Sequence, residues 1–203
     1  MKNLGTLDRM VRVIIAEACL LAAIFWVGED LKLALYLAAG VILIPVIKGS
    51  CGLYELLGYN SCEIIKRNDK SIKTAFVVAA VLLAVVGGLA SAIITKNIFI
   101  DDLQRVNESY AMALKSTSEG SENSSMNIDM LETTFADFTE KYSRYRPPAI
   151  KLDENFTSQA NEVSLAISTS REDILRGDNA TGLDELKRAG PIIRTMIDDG
   201  QSN

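Results

Sequence analysis

The sequence predicts an all-α protein: three transmembrane helices, an N-terminal hairpin plus one further span, followed by an extracytoplasmic antiparallel four-helix bundle. Three observations carry that expectation. Three apolar stretches in the first half are long enough to cross a bilayer. Four stretches in the second half repeat apolar residues in steps of three and four, the stripe of a helix facing a core. The charge divides along the same line. Residues 1–98 hold ten Lys/Arg against seven Asp/Glu, and residues 99–203 hold eleven against nineteen. Halves so unlike suit two environments rather than one core.

The first span is 11–28, "VRVIIAEACLLAAIFWVG", and the second 31–48, "LKLALYLAAGVILIPVIK". They are joined by "GEDL", so they read as a tight helical hairpin. A cleaved signal peptide is the competing reading of the first span. A second span follows at once, and "VGEDLK" is a poor cleavage site. Glu17 stands inside span one, where a carboxylate is costly. Its nearness to Arg12 predicts an interfacial or Arg12-paired carboxylate, and Cys19 reads as a small packing residue. The third span is 74–95, "TAFVVAAVLLAVVGGLASAIIT", with no charge inside it. It carries small residues every fourth position, Ala80, Ala84, Gly88 and Ala92. That spacing lets helices approach closely in lipid, against spans one and two or another copy of the chain.

Lys2, Arg9 and Arg12 precede span one, and Lys48, Lys66, Arg67, Lys70 and Lys73 lie between spans two and three. Positive loops face the cytoplasm, so the N-terminus and the 51–62 loop are expected inside and the C-terminal half outside. The domains expected are 1–73, a hairpin with its cytoplasmic loop; 74–98, the third span; and 99–203, the outer bundle.

Segment one of the bundle has Leu103, Val106, Tyr110 and Ala113; segment two has Ile128, Leu131, Phe135, Phe138, Tyr142 and Tyr145. Segment three has Phe156, Ala160, Val163, Ile167 and Ile174; segment four has Leu183, Leu186, Gly190, Ile193 and Ile197. "SEGSENSS" at 118–125 reads as a loop, "RPP" at 146–148 stops a helix, and "GDN" at 177–179 joins a glycine stop to an Asp/Asn start. Short connections predict up-down-up-down order. Segment one follows span three directly, so the two are expected to form one long helix. Pro191 predicts a kink or break in segment four.

Composition narrows the function. The chain has no histidine, which excludes Ser-His-Asp and Cys-His catalysis, His-ligated haem and most catalytic zinc sites. No cofactor or metal site is expected. The acidic outer half argues against nucleic acid. The partners expected are the lipid bilayer and either other membrane-protein subunits or further copies of the chain. In "KYSRYRPP", Tyr142, Arg144, Tyr145 and Arg146 are candidates for partner docking, since Arg and Tyr anchor interfaces. The competing account is a helix C-terminus whose cations meet the macrodipole.

The stretch "CGLYELLGYNSC" sets Cys51 and Cys62 beside the hairpin. Two thiolates are too few for a closed zinc site, and a reducing cytoplasm disfavours a disulfide. Lys66 and Arg67 could activate a thiolate for redox or persulfide work. The structural account is a cytoplasmic cap in which Leu53, Tyr54, Leu56 and Leu57 lie on the membrane face and Gly58 ends a helical turn.

The first 65 or so residues resemble a bacterial membrane family, the transmembrane domain of YgaP-type inner-membrane rhodaneses, which also occurs as a free-standing hairpin. The family begins N-x-G-x-x-D-R-x-x-R, matched here by Asn3, Gly5, Asp8, Arg9 and Arg12. It ends C-P-x-Y-x-x-L-G-x-x-[ST]-C, matched by Cys51, Tyr54, Leu57, Gly58, Ser61 and Cys62. Gly52 replaces the usual proline, and Glu17 lies close to a usual glycine. The resemblance implies a bacterial inner-membrane hairpin and proximity to sulfur-transfer enzymes. It supplies no reaction, because the rhodanese domain with its nucleophilic cysteine is not in this sequence. Together these readings point to a non-enzymatic interaction, accessory or sensory subunit. The alternative is a thiol-based redox or sulfur-handling module using Cys51 and Cys62.

Overall fold

The computed structural model describes residues 3–59, 61, 70–151 and 153–202, and these are helical with no β-strand among them. The helices are α1 (Thr6–Phe25), α2 (Glu29–Lys48), α3 (Gly52–Leu56), α4 (Lys70–Ser118), α5 (Ser124–Arg144), α6 (Pro148–Lys151), α7 (Phe156–Leu175) and α8 (Asn179–Ser202). The chain forms two compact units, Met1–Ile93 and Ile94–Asn203.

In the first unit α1 and α2 pair as the expected hairpin. Glu29 and Asp30 place negative charge at the N-terminus of α2, where the helix dipole favours it, and Gly49 closes the helix with φ +74°. The pair meets through small residues, with Ala16, Ala23 and Ala39 fully buried. Long side chains such as Leu33, Leu37, Val41 and Ile47 point outward. Among the described residues two helices, α2 and α4, are long and apolar enough to cross a membrane. Helix α1 is as long as α2 but carries Asp8, Arg9, Arg12 and Glu17.

Two local expectations meet a different arrangement here. Arg12 pairs with Asp8 at 2.9 Å, not with Glu17, because Asp8 lies one turn back on the same face. Oε2 of Glu17 is shielded and has no hydrogen-bond partner among the described residues. The packing of α1 beside the small-residue line also differs at one level. Helix α1 meets α4 at Gly87, where a Cβ would stand 3.1 Å from Leu21, and at Ser91, whose hydroxyl accepts a 3.1 Å bond from Trp26 Nε1. A Cβ on Gly88 would meet nothing within 4 Å, so at that level the Ala80–Ala84–Gly88–Ala92 line is not the face that α1 packs on.

Helix α4 is one uninterrupted helix of 49 residues, as the sequence predicts for span three and segment one together. Val77, Val81, Leu82, Val85, Val86 and Leu89 are exposed, whereas from Phe99 onward one face is buried. That face joins α5, α7 and α8 in a single core, whose largest side chains include Phe99, Leu103, Phe135, Tyr142, Ile167 and Ile193. Residue pairings between these helices are as follows. Ser109 meets Thr134 and Ser116 meets Ser124 between α4 and α5. Arg146 meets Thr157 at one end of the α5–α7 pair, and Asp129 meets Arg171 at the other. Ser170 meets Gly182 between α7 and α8. Lys96 reaches the Gln201 carbonyl where α8 ends, beside Phe99, and Tyr110 faces Gly190.

The turn chemistry follows the sequence. Gly120 (φ +63°) lies in the α4–α5 turn and Gly177 (φ +84°) ends α7. Asp178 then accepts the Thr181 N–H at 3.1 Å and the Thr181 hydroxyl at 2.8 Å. These bonds favour the carboxylate and hold its pKa below the usual range. The proline at 191 does not break α8, which runs through it to Ser202. The missing N–H there costs one helical bond, and neighbouring Ile192, Ile193, Met196 and Ile197 keep the segment docked on the core.

Candidate functional site

The two sequence motifs of the first unit meet in space as a polar clasp. Asn3 is buried and bonds reciprocally with the backbone of Cys51: the Cys51 N–H donates to Oδ1 at 2.8 Å, and Nδ2 donates to the Cys51 carbonyl at 3.0 Å. An amide side chain is the group that can match a backbone donor and acceptor at once. The Ser61 N–H donates to the Asn3 carbonyl at 3.0 Å. The Ser61 hydroxyl receives the Gly5 N–H at 2.7 Å and lies 3.2 Å from Asp8 Oδ2. Asp8 holds Arg12, and the Arg12 guanidinium stands 5.3 Å above the Tyr54 ring.

Gly5 is demanded by this closure. A Cβ there would stand 2.5 Å from the Ser61 carbonyl oxygen, a backbone atom with little room to move. Gly58, with φ +63°, turns the chain after α3 so that Tyr59 packs edge-on against Tyr54, centroids 4.9 Å apart. Gly52 takes the first position of α3, where a proline also fits. Beside the clasp a cleft of about 220 Å³ is lined by Leu7, Asp8, Val11, Tyr54, Tyr59 and Ser61, among others.

Cys51 is 6% exposed and is a free cysteine whose backbone, not its sulfur, makes the clasp bonds. Leu53, Leu56 and Leu57 are exposed, as a membrane-facing surface requires, while Tyr54 is only partly so. Cys62, Lys66 and Arg67 lie outside the described residues. Among the described residues no group of three or more His, Cys, Asp or Glu is placed to hold a metal.

The stretch 141–148 in the second unit is largely committed to its own fold. Tyr142 is 1% exposed and sits in an aromatic cluster with Phe99, Phe138 and Phe156. Its hydroxyl donates to Asp102 at 2.7 Å, and Lys141 pairs with the same carboxylate. Burial first, then the bond to Asp102, pushes the phenol's pKa up, so it stays a neutral donor. Tyr142 is therefore a core anchor and offers no surface to a partner. Arg146 bonds the Thr157 hydroxyl at 2.6 Å and covers the Phe156 ring. Arg144 pairs with Glu140 one turn back and stays exposed; Tyr145 is half-buried.

Sequence reasoning did not single out the Asn3–Cys51 pair, although Asn3 belongs to the opening motif. It also left out Phe99, which stands in the gap between span three and segment one. Among curated proteins and solved structures none matches the chain. Residues 1–64, the stretch that holds both halves of the clasp, match the family described as the transmembrane domain of YgaP-like inner membrane proteins.

Proposed function

We propose that this inner-membrane protein crosses the bilayer three times, through α1, α2 and the first half of α4, and carries residues 99–203 as an antiparallel four-helix bundle on the outer side. In this reading it is a non-enzymatic interaction, accessory or sensory subunit. The observation that carries the reading is α4. One helix gives its first half, with exposed valines and leucines, to the surroundings and its second half to a folded core. Such a helix suits a bundle anchored to a membrane. The Lys/Arg excess before span one and between spans two and three supports the orientation. Arg144, exposed at the end of α5, is the part of 141–148 most open to a partner.

Single cysteines at Glu55 and Leu165, in a chain freed of its native thiols, test the topology. An impermeant reagent applied to intact cells should reach only position 165; the reverse pattern overturns the orientation. A photo-crosslinking residue at Arg144 tests the interaction role. A discrete adduct with another membrane protein, or with a second copy, supports it, and no adduct at normal abundance rejects docking there. Replacing Cys51 and Cys62 by serine should leave that adduct unchanged. Its loss at normal abundance would promote the thiol module, against which the burial of Cys51 speaks.

A further inference from the structure

The surface of the second unit holds a group of methionines that neither the fold nor the proposed function uses. Among the described residues from 99 to 203, the exposed large apolar side chains are Met112 (48% exposed), Met126 (56%), Met130 (47%), Leu165 and Leu175. Within that range every one on α4 and α5 is a methionine. The three fall in one window of the helix pair. Contacts between Ser109 and Thr134 at 3.5 Å, and from Ser124 Oγ to the Ser116 carbonyl at 2.9 Å, pin the helices together at its two ends. Met112 lies between the pinned positions of α4, and Met126 and Met130 between those of α5.

Helix geometry puts them on the same side. Met112 follows Arg105 by seven residues, two turns, and Met130 precedes Thr134 and Asp137 by four and seven. Arg105, Thr134 and Asp137 line one cleft of about 200 Å³ along the outer seam of α4 and α5. Met112 and Met130 therefore continue the two walls of that seam toward the α4–α5 turn. Met126 stands one turn from Met130 on the same helix. The methionine side chain is unbranched with three rotatable bonds, so three sulfurs held at such neighbouring positions can converge.

The chemistry of the set is selective. Thioether sulfur is a soft, neutral ligand that favours Cu(I) and is a poor ligand for hard cations. The chain has no histidine, and its cysteines all lie within residues 1–62, so these thioethers are the soft ligands of this surface. Glu108, Glu119 and Glu122, on α4 and its following turn, make no ion pair among the described residues and attract a cation without competing as soft ligands. We propose that Met112, Met126 and Met130 form a three-thioether site for a soft monovalent cation: Cu(I), with Ag(I) as its redox-inert equivalent. Binding is coordination alone; the metal arrives as Cu(I) and no electron is transferred.

The full chain in detergent micelles, labelled with ¹³C in its methionine methyl groups, tests the site. Ag(I) is added past the three equivalents that the thiols can take. The methyl resonances of Met112, Met126 and Met130 should shift together and saturate with one further equivalent. Met196, 2% exposed in the core, should not move. The triple variant M112L/M126L/M130L replaces exposed side chains only and should keep the helical spectrum while losing that equivalent. Under anaerobic conditions it should also compete at least a hundredfold less well for Cu(I) against a chelator. Shifts that do not saturate, shifts at a single methionine, or silver uptake by the thiols alone would each overturn the proposal.

Discussion

Replacing Asn3 by alanine should open the clasp and expose the thiol beneath it. Asn3 supplies both members of the reciprocal pair with the Cys51 backbone, at 2.8 and 3.0 Å, and both partners are buried. Each such bond contributes about 1 kcal/mol net. The opening free energy of the 51–61 segment should therefore fall by about 2 kcal/mol. When opening is fast compared with the chemistry, that raises the alkylation rate of the shielded Cys51 thiol about thirtyfold. The assay is timed alkylation of the full chain in micelles, with the Cys51 and Cys19 peptides quantified by mass spectrometry. Cys19 lies within α1, away from the clasp, and should label at its original rate in the variant. An unchanged Cys51 rate would refute the reasoning, because it would mean that the Asn3 pair does not hold this segment shut. Equal acceleration at Cys19 would refute it differently, by pointing to general loosening of the hairpin.

Gly5→Ala should give the same acceleration at Cys51, since its Cβ would stand 2.5 Å from the Ser61 carbonyl; normal labelling would deny that close approach any role. Gly190→Ala sets a helix-propensity gain of about 1 kcal/mol against a Cβ placed 2.4 Å from the Tyr110 hydroxyl. Overpacking of about 1–3 kcal/mol should win, lowering the thermal midpoint, with partial recovery on adding Tyr110→Phe; a more stable single variant would contradict this. Asp178→Ala should lower the thermal midpoint at pH 7 by removing the bonds to Thr181. Because the folded carboxyl has a depressed pKa, its contribution is complete above the unfolded value of 3.8 and fades as pH falls through the lower folded value. The gap between the two proteins should therefore close in acid, and a gap that widened there would reverse the sign. Phe135→Asp should unfold the 94–203 unit, read as loss of helical signal, because Phe135 lies in the core with no partner for a charge.

The outer stripes were legible because period is a local property. Leu103, Val106, Ala113 and the named residues of segment three are buried as their spacing predicts. Gly177 and Asp178 were readable for the same reason, since a stop and a cap act within a few residues. What escaped depends on residues distant in sequence. Asn3 gains its meaning from a backbone 48 residues away. Gly190 looked like one more position of the stripe until Tyr110 was found against it. Tyr142 read both as stripe and as surface anchor, and burial decides between the two. Glu17 reads as an interfacial or Arg12-paired carboxylate, and Asp8 takes that guanidinium from the preceding turn, which leaves the interfacial reading.

The clasp also bears on the order of events during synthesis. Its halves are 48 to 58 residues apart, so the amino end is complete well before Cys51 and Ser61 exist. At about 5–20 residues per second, Asn3 waits about 3 to 12 s for the last of its partners. Through that interval the polar groups of Asn3, Gly5 and Asp8 depend on water. In the proposed topology the late partners arrive on the same side of the bilayer because both α1 and α2 have crossed. A chain whose second helix failed to insert would leave residues 51–61 across the bilayer from residue 3, with every clasp bond unmade. In that topology closure separates a fully inserted hairpin from a half-inserted one, and a shielded Cys51 is the chemical mark of the difference.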